Sequence, residues 1–350
     1  MKKKLLAIIV AAGMLAGVLA GCGETAPAAS SSKAQSTKTE STKTESTKTA
    51  STSDQKIKIG FANLTDSGDY MVWVKKGMQM AAEKYGAEIV CVDNEANGAK
   101  AVENIDALIT QGCQAVIEYM NDTAVNSQIK DMLDAKGIPC VAVDIPVENA
   151  NGAAAYMGGD NYTAGHICGE NLGKIAKEQW GDTIDLFISV ETMSNGETNT
   201  QRMGGILDGI RESLNVPDDI IVRVDGKDNT ADAQKVVADA LTAHPDAKHI
   251  LIGCLQDDET QGAFSAVEMA NRQDQVLLAG CGPFGSTFEN LRKPEKNFWV
   301  GSASFSPEQY GEVAVPLAIA LAKGEKVPEN SFVTHYWLDH DNINDYYPEG

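Results

Sequence analysis

Residues Lys56–Asp93, KIKIGFANLTDSGDYMVWVKKGMQMAAEKYGAEIVCVD, constrain the fold more tightly than any other part of the chain. Lys56–Ala62 is short, apolar and β-branched, as a strand buried on both faces must be. Asn63–Asp69 is a loop of mostly small polar residues. Met71, Val74, Met78, Ala81 and Tyr85 then recur every three or four residues and make one apolar helix face, with Gly86 placed for a left-handed cap. Glu88–Asp93 reads as a second strand. The stretch is a βαβ unit, and its polar loop lies at the carboxyl end of the first strand, where open α/β sheets bind ligands.

The same alternation continues. Helices marked by Val102, Ile105, Leu108 and Ile109, and by Val125, Ile129, Met132 and Leu133, separate strands Ala115–Tyr119 and Pro139–Val143. After a change of direction at Gly159-Asp160-Asn161 the pattern restarts. Strands are expected at Thr183–Val190, Ile220–Asp225, Lys248–Gly253, Gln275–Cys281, Trp299–Phe305 and Phe332–Leu338. Helices are expected from about Gln201 to Leu214, over Ala231–Ala243, from about Glu259 to Asn271, near Thr287–Leu291 and from Ser306-Pro307, where Pro316 should kink or shorten the last. Strands alternating with helices of three to four turns mean parallel, doubly wound sheets with right-handed crossovers. With 350 residues there is material for two such lobes.

The amino terminus reads differently. Lys2-Lys3-Lys4, the apolar run Leu5–Leu19 and Leu19-Ala20-Gly21-Cys22 have the form of a lipoprotein signal peptide over residues 1–21, with Cys22 as the lipidated residue. Residues 22–55 are low in complexity, with repeated Ser-Thr-Lys-Thr units, and are expected to be a disordered tether. Such a tether suits an extracytoplasmic, membrane-anchored protein, in particular one on a Gram-positive cell surface. A net charge of −20 argues against nucleic-acid partners. Cys91, Cys113, Cys140, Cys168, Cys254 and Cys281 form no C-x-x-C pair and are expected to be mostly reduced core thiols.

Candidate site residues are those at strand carboxyl ends. In the first lobe these are Asn63, Thr65, Tyr119, Asn121 and Asp144, with Tyr70 and Trp73 opening the adjacent helix. In the second they are Glu191, Gln256, Asp257, Asp258, Cys281 and Phe284. Carboxylates and amides accept hydrogen bonds from hydroxyls, and aromatic rings cover the apolar face of a sugar. Asp66, Asp69, Asp122 and Asp258 precede helices and read first as caps; Asp144 has no helix to cap. Five scattered histidines give no metal site, and no nucleophile–base pair, P-loop or G-x-G-x-x-G points to catalysis or to a cofactor.

Together these residues resemble the periplasmic sugar-binding proteins of the ribose/galactose type, the solute receptors of ABC importers. The resemblance runs from about Lys56 to Leu338. It is carried by Lys75-Lys76-Gly77, Ile138–Asp144, Gly159-Asp160-Asn161 with Gly165, Arg202 with Gly205, Leu241–Asp246, and Gln256–Glu259 with Gly262-Ala263. It implies two lobes joined by a three-stranded hinge near Gly158–Asp160, Phe305–Ser306 and Pro328–Val333. The first lobe then takes in residues 56–158 with about 306–328, and the second 159–305 with about 329–350. It also implies a monomer that closes on a small molecule and presents the closed form to ABC permease subunits. Carried over, Asp144 and Gln256 take sugar-binding positions, Tyr70 a ring-stacking one, and Asn63 or Thr65 a polar contact; Arg202 matches the motif arginine, and Asp257 follows Gln256.

The departures bear on the ligand. Ile145 stands where Arg often follows the aspartate. Gly280-Cys281-Gly282-Pro283 replaces a G-F-D-G segment, Asp228 aligns with a stacking aromatic, and Phe305 stands where a hinge-proximal amide is common. A sugar, a polyol or a nucleoside-like molecule all remain open. A ligand-binding sensor for a membrane kinase or chemoreceptor is the alternative on the same fold, and a secreted glycosidase-like enzyme a more distant one. The repressors that share this core carry a basic DNA-binding domain where this chain has its leader.

Overall fold

The computed structural model describes residues 56–348, and the expectations for the leader, Cys22 and the tether lie outside them. The first half runs β1 (Lys58–Asn63), α1 (Asp69–Tyr85), β2 (Glu88–Asp93), α2 (Gly98–Thr110), β3 (Ala115–Glu118), α3 (Thr123–Asp134) and β4 (Cys140–Val143). A small hairpin, β5 (Glu148–Asn149) and β6 (Gly152–Ala153), precedes β7 (Ala155–Gly158). The chain then crosses to α4 (Asn161–Trp180), β8 (Leu186–Glu191), α5 (Gly196–Ser213), β9 (Ile221–Asp225), α6 (Thr230–Ala243), β10 (Ile250–Cys254), α7 (Asp257–Met269), β11 (Val276–Cys281), α8 (Gly285–Leu291) and β12 (Trp299–Ser304). It returns to α9 (Tyr310–Ala322) and β13 (Asn330–Phe332), and ends in β14 (Tyr336–Leu338) and α10 (Ile343–Tyr346).

Two six-stranded sheets result, ordered β13-β7-β4-β3-β1-β2 and β14-β12-β11-β10-β8-β9. Every pairing in them is parallel except β12 with β14. Each sheet changes direction beside its first strand, between β1 and β3 and between β8 and β10. In this topology the crevice above such a point is the ligand site. Apolar side chains fill both faces of each sheet: Phe61, Met78 and Tyr310 lie under α1 and α9, Ile105 and Leu133 under α2 and α3. In the second sheet Phe187 and Ile206 lie under α4 and α5, and Val237 and Phe264 under α6 and α7.

Several expectations are corrected. Phe332–Leu338 is not one strand: β13 belongs to the first sheet and β14 to the second, so the third crossover is Val333–His335. The lobe boundary expected near residues 328 and 329 therefore falls after Phe332. The helix expected from Gln201 begins at Gly196, and the strand expected from Thr183 begins at Leu186. Pro316 does not end α9; it lies inside the helix at a partly buried position.

Helix ends follow local chemistry. Gly86 terminates α1 in the left-handed region at φ 73°. Asp122 and Asp160 cap α3 and α4 by accepting N–H groups of their first turns, so Asp122 is a cap as expected. Asp66 is not; it pairs with Lys75. The six described cysteines are free thiols, Cys91 half-buried and the others buried.

Candidate functional site

A cleft of about 490 Å³ opens between the carboxyl ends of the two sheets. Tyr70, Tyr119, Asp144, Ile145, Tyr156 and Tyr310 form one wall. Thr198, Arg202, Gln256, Asp257, Asp258 and Phe284 form the other, and Gly159, Asn161 and Phe305 close the hinge end.

Asp144 is central to the first wall. It follows β4 at φ 56°, and the N–H of Ile145 donates to the carbonyl of Val143 across it at 2.6 Å, a γ-turn of the strained hand. Its Oδ2 accepts from Tyr119 at 2.7 Å, and both oxygens accept from Tyr310, at 2.9 and 3.0 Å. Oδ1 also faces the Gly159 N–H at 3.3 Å. Burial raises the Asp144 carboxyl, while the two phenols, the Gly159 N–H and Arg202 pull it back. The phenols of Tyr70, Tyr119 and Tyr310 are pushed well above their ordinary value, by burial first and then by the Asp144 charge.

Tyr70 spans the cleft mouth. Its hydroxyl donates to Tyr310 at 2.6 Å, and its ring meets Phe284 of the second lobe edge-on at 5.4 Å. Across the cleft, Arg202 is held rigidly. Nε and Nη2 donate to Asn161 Oδ1 at 3.2 and 2.7 Å, Nη1 donates to the carbonyl of Leu255 at 2.9 Å, and the guanidinium lies 4.3 Å from the Phe305 ring centre. Its place is set by helix packing: a Cβ on Gly165 of α4 would fall 2.0 Å from the Arg202 carbonyl oxygen, so the two helices touch backbone to backbone. Gln256 donates to Asp228. Burial pushes the Asp257 carboxyl up to about 7, against the Ser286 hydroxyl that donates to it at 3.0 Å.

Of the residues expected from sequence, the fold gathers Tyr70, Asp144, Arg202, Gln256, Asp257 and Phe305 around this cleft. Asn63 and Thr65 are not in its lining. Asn63 is fully buried and donates to the Thr65 carbonyl and to Asp66, pinning its own loop, while the Thr65 hydroxyl pairs with Ser67. Glu191 is buried among Ser189, Asn199 and Arg223. Trp73 packs on Tyr347 instead. Asp258, read as a cap, lines the cleft. Tyr119 and Phe284 were visible at strand ends. Tyr156 and Tyr310 carried no local signal, since one lies inside a strand and the other arrives from 166 residues after Asp144.

The family model described as a periplasmic binding protein domain matches residues 59–326. The ribose import binding protein of Salmonella typhimurium is 25% identical over 265 residues, covering 75% of this chain and 84% of that protein. An ABC transporter periplasmic solute binding protein from Actinobacillus succinogenes, solved with bound D-allose, superposes with a TM-score of 0.67 at 20% identity, covering 83% of this chain and 100% of that one. An ABC transporter solute binding protein from Mycobacterium smegmatis, solved with bound glycerol, gives 0.63 at 25% identity, covering 83% and 96%. Two parallel-sheet lobes facing one polar and aromatic cleft, over the span that the family model matches, make this chain a member of the periplasmic binding protein family, the non-enzymatic solute receptors of ABC importers.

Proposed function

We propose that this protein is a lipid-anchored receptor that captures a sugar or polyol between its lobes and delivers it to an ABC permease on the extracytoplasmic face of the membrane. The observation that carries the reading is the cleft itself. Tyr70, Phe284 and Phe305 supply apolar faces, and Asp144, Arg202, Gln256 and Asp257 supply polar groups, within a volume suited to one small solute. Relatives named for ribose, D-allose and glycerol point to the same chemical class. The anchor rests on Leu19-Ala20-Gly21-Cys22 and the Ser/Thr-rich segment that follows, which together favour a Gram-positive cell surface.

Thermal unfolding with D-ribose, D-allose, L-arabinose, myo-inositol and glycerol tests the binding half. A true ligand at about 100 times its Kd adds about 2.7 kcal/mol. No shift with any of them, or conversion of a sugar to product, overturns this reading. Mass spectrometry of the membrane-extracted protein tests the anchor: a diacylglyceryl-modified Cys22 is expected, and a Cys22→Ala variant should remain unprocessed.

A further inference from the structure

Among the described cysteines, two meet. Cys168 of α4 and Cys281 at the end of β11 are fully buried in one core between the second sheet and its helices α4 and α5. The Cys168 thiol donates a hydrogen bond to the Cys281 sulfur. Strand alternation keeps the others apart. Leu277, Ala279 and Cys281 face the α4 side, whereas Ile252 and Cys254 face the α6 and α7 side, so Cys254 lies across the sheet from this pair. In the first lobe Cys91 lies on the α1 side of its sheet, and Cys113 and Cys140 lie on the α2 side. Cys140 pairs with Val116, three residues beyond Cys113. That separation is about 10 Å of extended chain, past the roughly 7 Å that a disulfide spans between Cα atoms.

We propose that Cys168 and Cys281 are a disulfide site, joined by a small-molecule or protein disulfide oxidant as the receptor folds outside the cytoplasm, and that the bond staples the second wall of the cleft. α4 begins at Asn161, which holds Arg202, and Cys281 leads through Gly282 to Phe284. The bond therefore fixes the helix behind the guanidinium to the strand end behind the aromatic ring. Both sulfurs are shut from solvent in the folded chain, so the exchange takes place before α4 docks on the sheet. One cysteine thiolate attacks a sulfur of the oxidant, the S–S bond of the oxidant breaks and a thiolate leaves. The second cysteine then displaces the other oxidant thiolate from this mixed disulfide. The protons of the two cysteines pass to the two leaving thiolates; the pair is oxidised by two electrons and the oxidant is reduced to two thiols. Docking of α4 selects the partner, and burial then excludes reductants. The setting outside the cytoplasm rests on the function proposed above; the pairing rests on the fold alone.

Peptide mapping tests the pairing. The full chain, isolated from membranes, is denatured directly in N-ethylmaleimide, then reduced and labelled with iodoacetamide. Mass spectrometry should find the second label on Cys168 and Cys281 and the first on Cys91, Cys113, Cys140 and Cys254. The same chain, reduced and then refolded in oxidised and reduced glutathione, should give one linked peptide pair, Cys168 with Cys281. Any other pairing, or six free thiols in both preparations, overturns the proposal. Free thiols from the cell with the linked pair after refolding support the pairing and overturn the oxidising setting. For the staple, dithiothreitol should lower the Tm of the oxidised chain by about 5–10 °C and quicken amide hydrogen exchange over residues 282–288. The shift should vanish in Cys281→Ala and persist in Cys254→Ala, which removes an equally buried thiol from the other face. A Tm that ignores dithiothreitol while the linked pair is present overturns the staple.

Discussion

His335 Nε2 accepts the backbone N–H of Asp160 at 2.9 Å. Its Nδ1 lies 2.9 Å from the carbonyl oxygen of Ser304, which can only accept, so Nδ1 carries the hydrogen and the ring is neutral. His335 belongs to the third crossover, Asp160 to the first and Ser304 leads into the second. One buried imidazole thus ties together all three chain segments that join the lobes.

This makes the hinge sensitive to acid. Burial lowers the His335 pKa; the Ser304 carbonyl and the Asp160 carboxylate oppose that, and Arg202 adds to it. A folded-state value below the unfolded one means that the contribution is whole above about pH 6.5 and is lost as pH falls, by up to about 1.4 kcal/mol per unit. Asp257 and Glu259, each pushed up to about 7 by burial, titrate with the opposite sign nearby. The informative quantity is therefore the difference between wild type and His335→Gln. Wild type should lose stability relative to the variant from pH 7 to pH 5, and imidazole nitrogen NMR should show a neutral Nδ1–H ring at pH 6. A ring already charged at pH 6 rules this out.

At the same hinge, Gly159 has no room for a side chain. A Cβ there would lie 2.5 Å from Phe305 Cδ1. Gly159→Ala should cost about 1–3 kcal/mol and shift the ring that floors the cleft. Adding Phe305→Ala should recover part of that loss, a coupling of about 1 kcal/mol or more by double-mutant cycle. Strict additivity would show that the ring is not the obstacle.

Gly165 and Gly204 predict opposite outcomes for the same substitution. Gly165→Ala drives a methyl into the Arg202 carbonyl and should destabilise by about 3 kcal/mol, with weaker ligand binding as Arg202 is displaced. Gly204, two residues along α5 from Arg202, has nothing within 4 Å of a built Cβ. Gly204→Ala should stabilise by about 0.5–1 kcal/mol through helix propensity. Chemical denaturation of the two variants side by side decides; equal effects would refute the backbone contact.

Glu118 ends β3 fully buried, and neither carboxylate oxygen has a partner among the described residues. Burial raises its pKa well above the ordinary value. Its proton is retained in the fold, so stability is whole below about pH 4.3 and declines by about 1.4 kcal/mol per unit above it until the folded group ionises. Glu118→Gln cannot ionise and should gain on the wild type as pH rises from 5 to 8. Parallel stability–pH profiles would mean that the carboxyl is ionised and solvated after all.

Much of this was readable from the chain itself. Apolar β-branched runs of the strands, the glycine after α1 and the aspartate before α3 act through near neighbours, so local sequence declares them. Asp144 was legible because a polar residue after a buried strand with no helix to cap has few other uses. The split of Phe332–Leu338 was not legible, because an extended run looks alike whichever sheet it joins.

Sequence by itself determined the alternation of strand and helix, hence parallel sheets, and hence that the residues after each strand would gather at one edge. Tertiary structure decided which of them face the cleft and in what role. Asn63 and Asp144 both stand at the carboxyl ends of strands in one sheet. The first is turned inward to hold its own loop, and the second binds Tyr310, which only the returning second crossover brings within 2.9 Å. Hydrogen bonds between residues so far apart leave no periodicity in the chain. They exist only once the chain has returned through the second crossover and packed α9 against the first sheet.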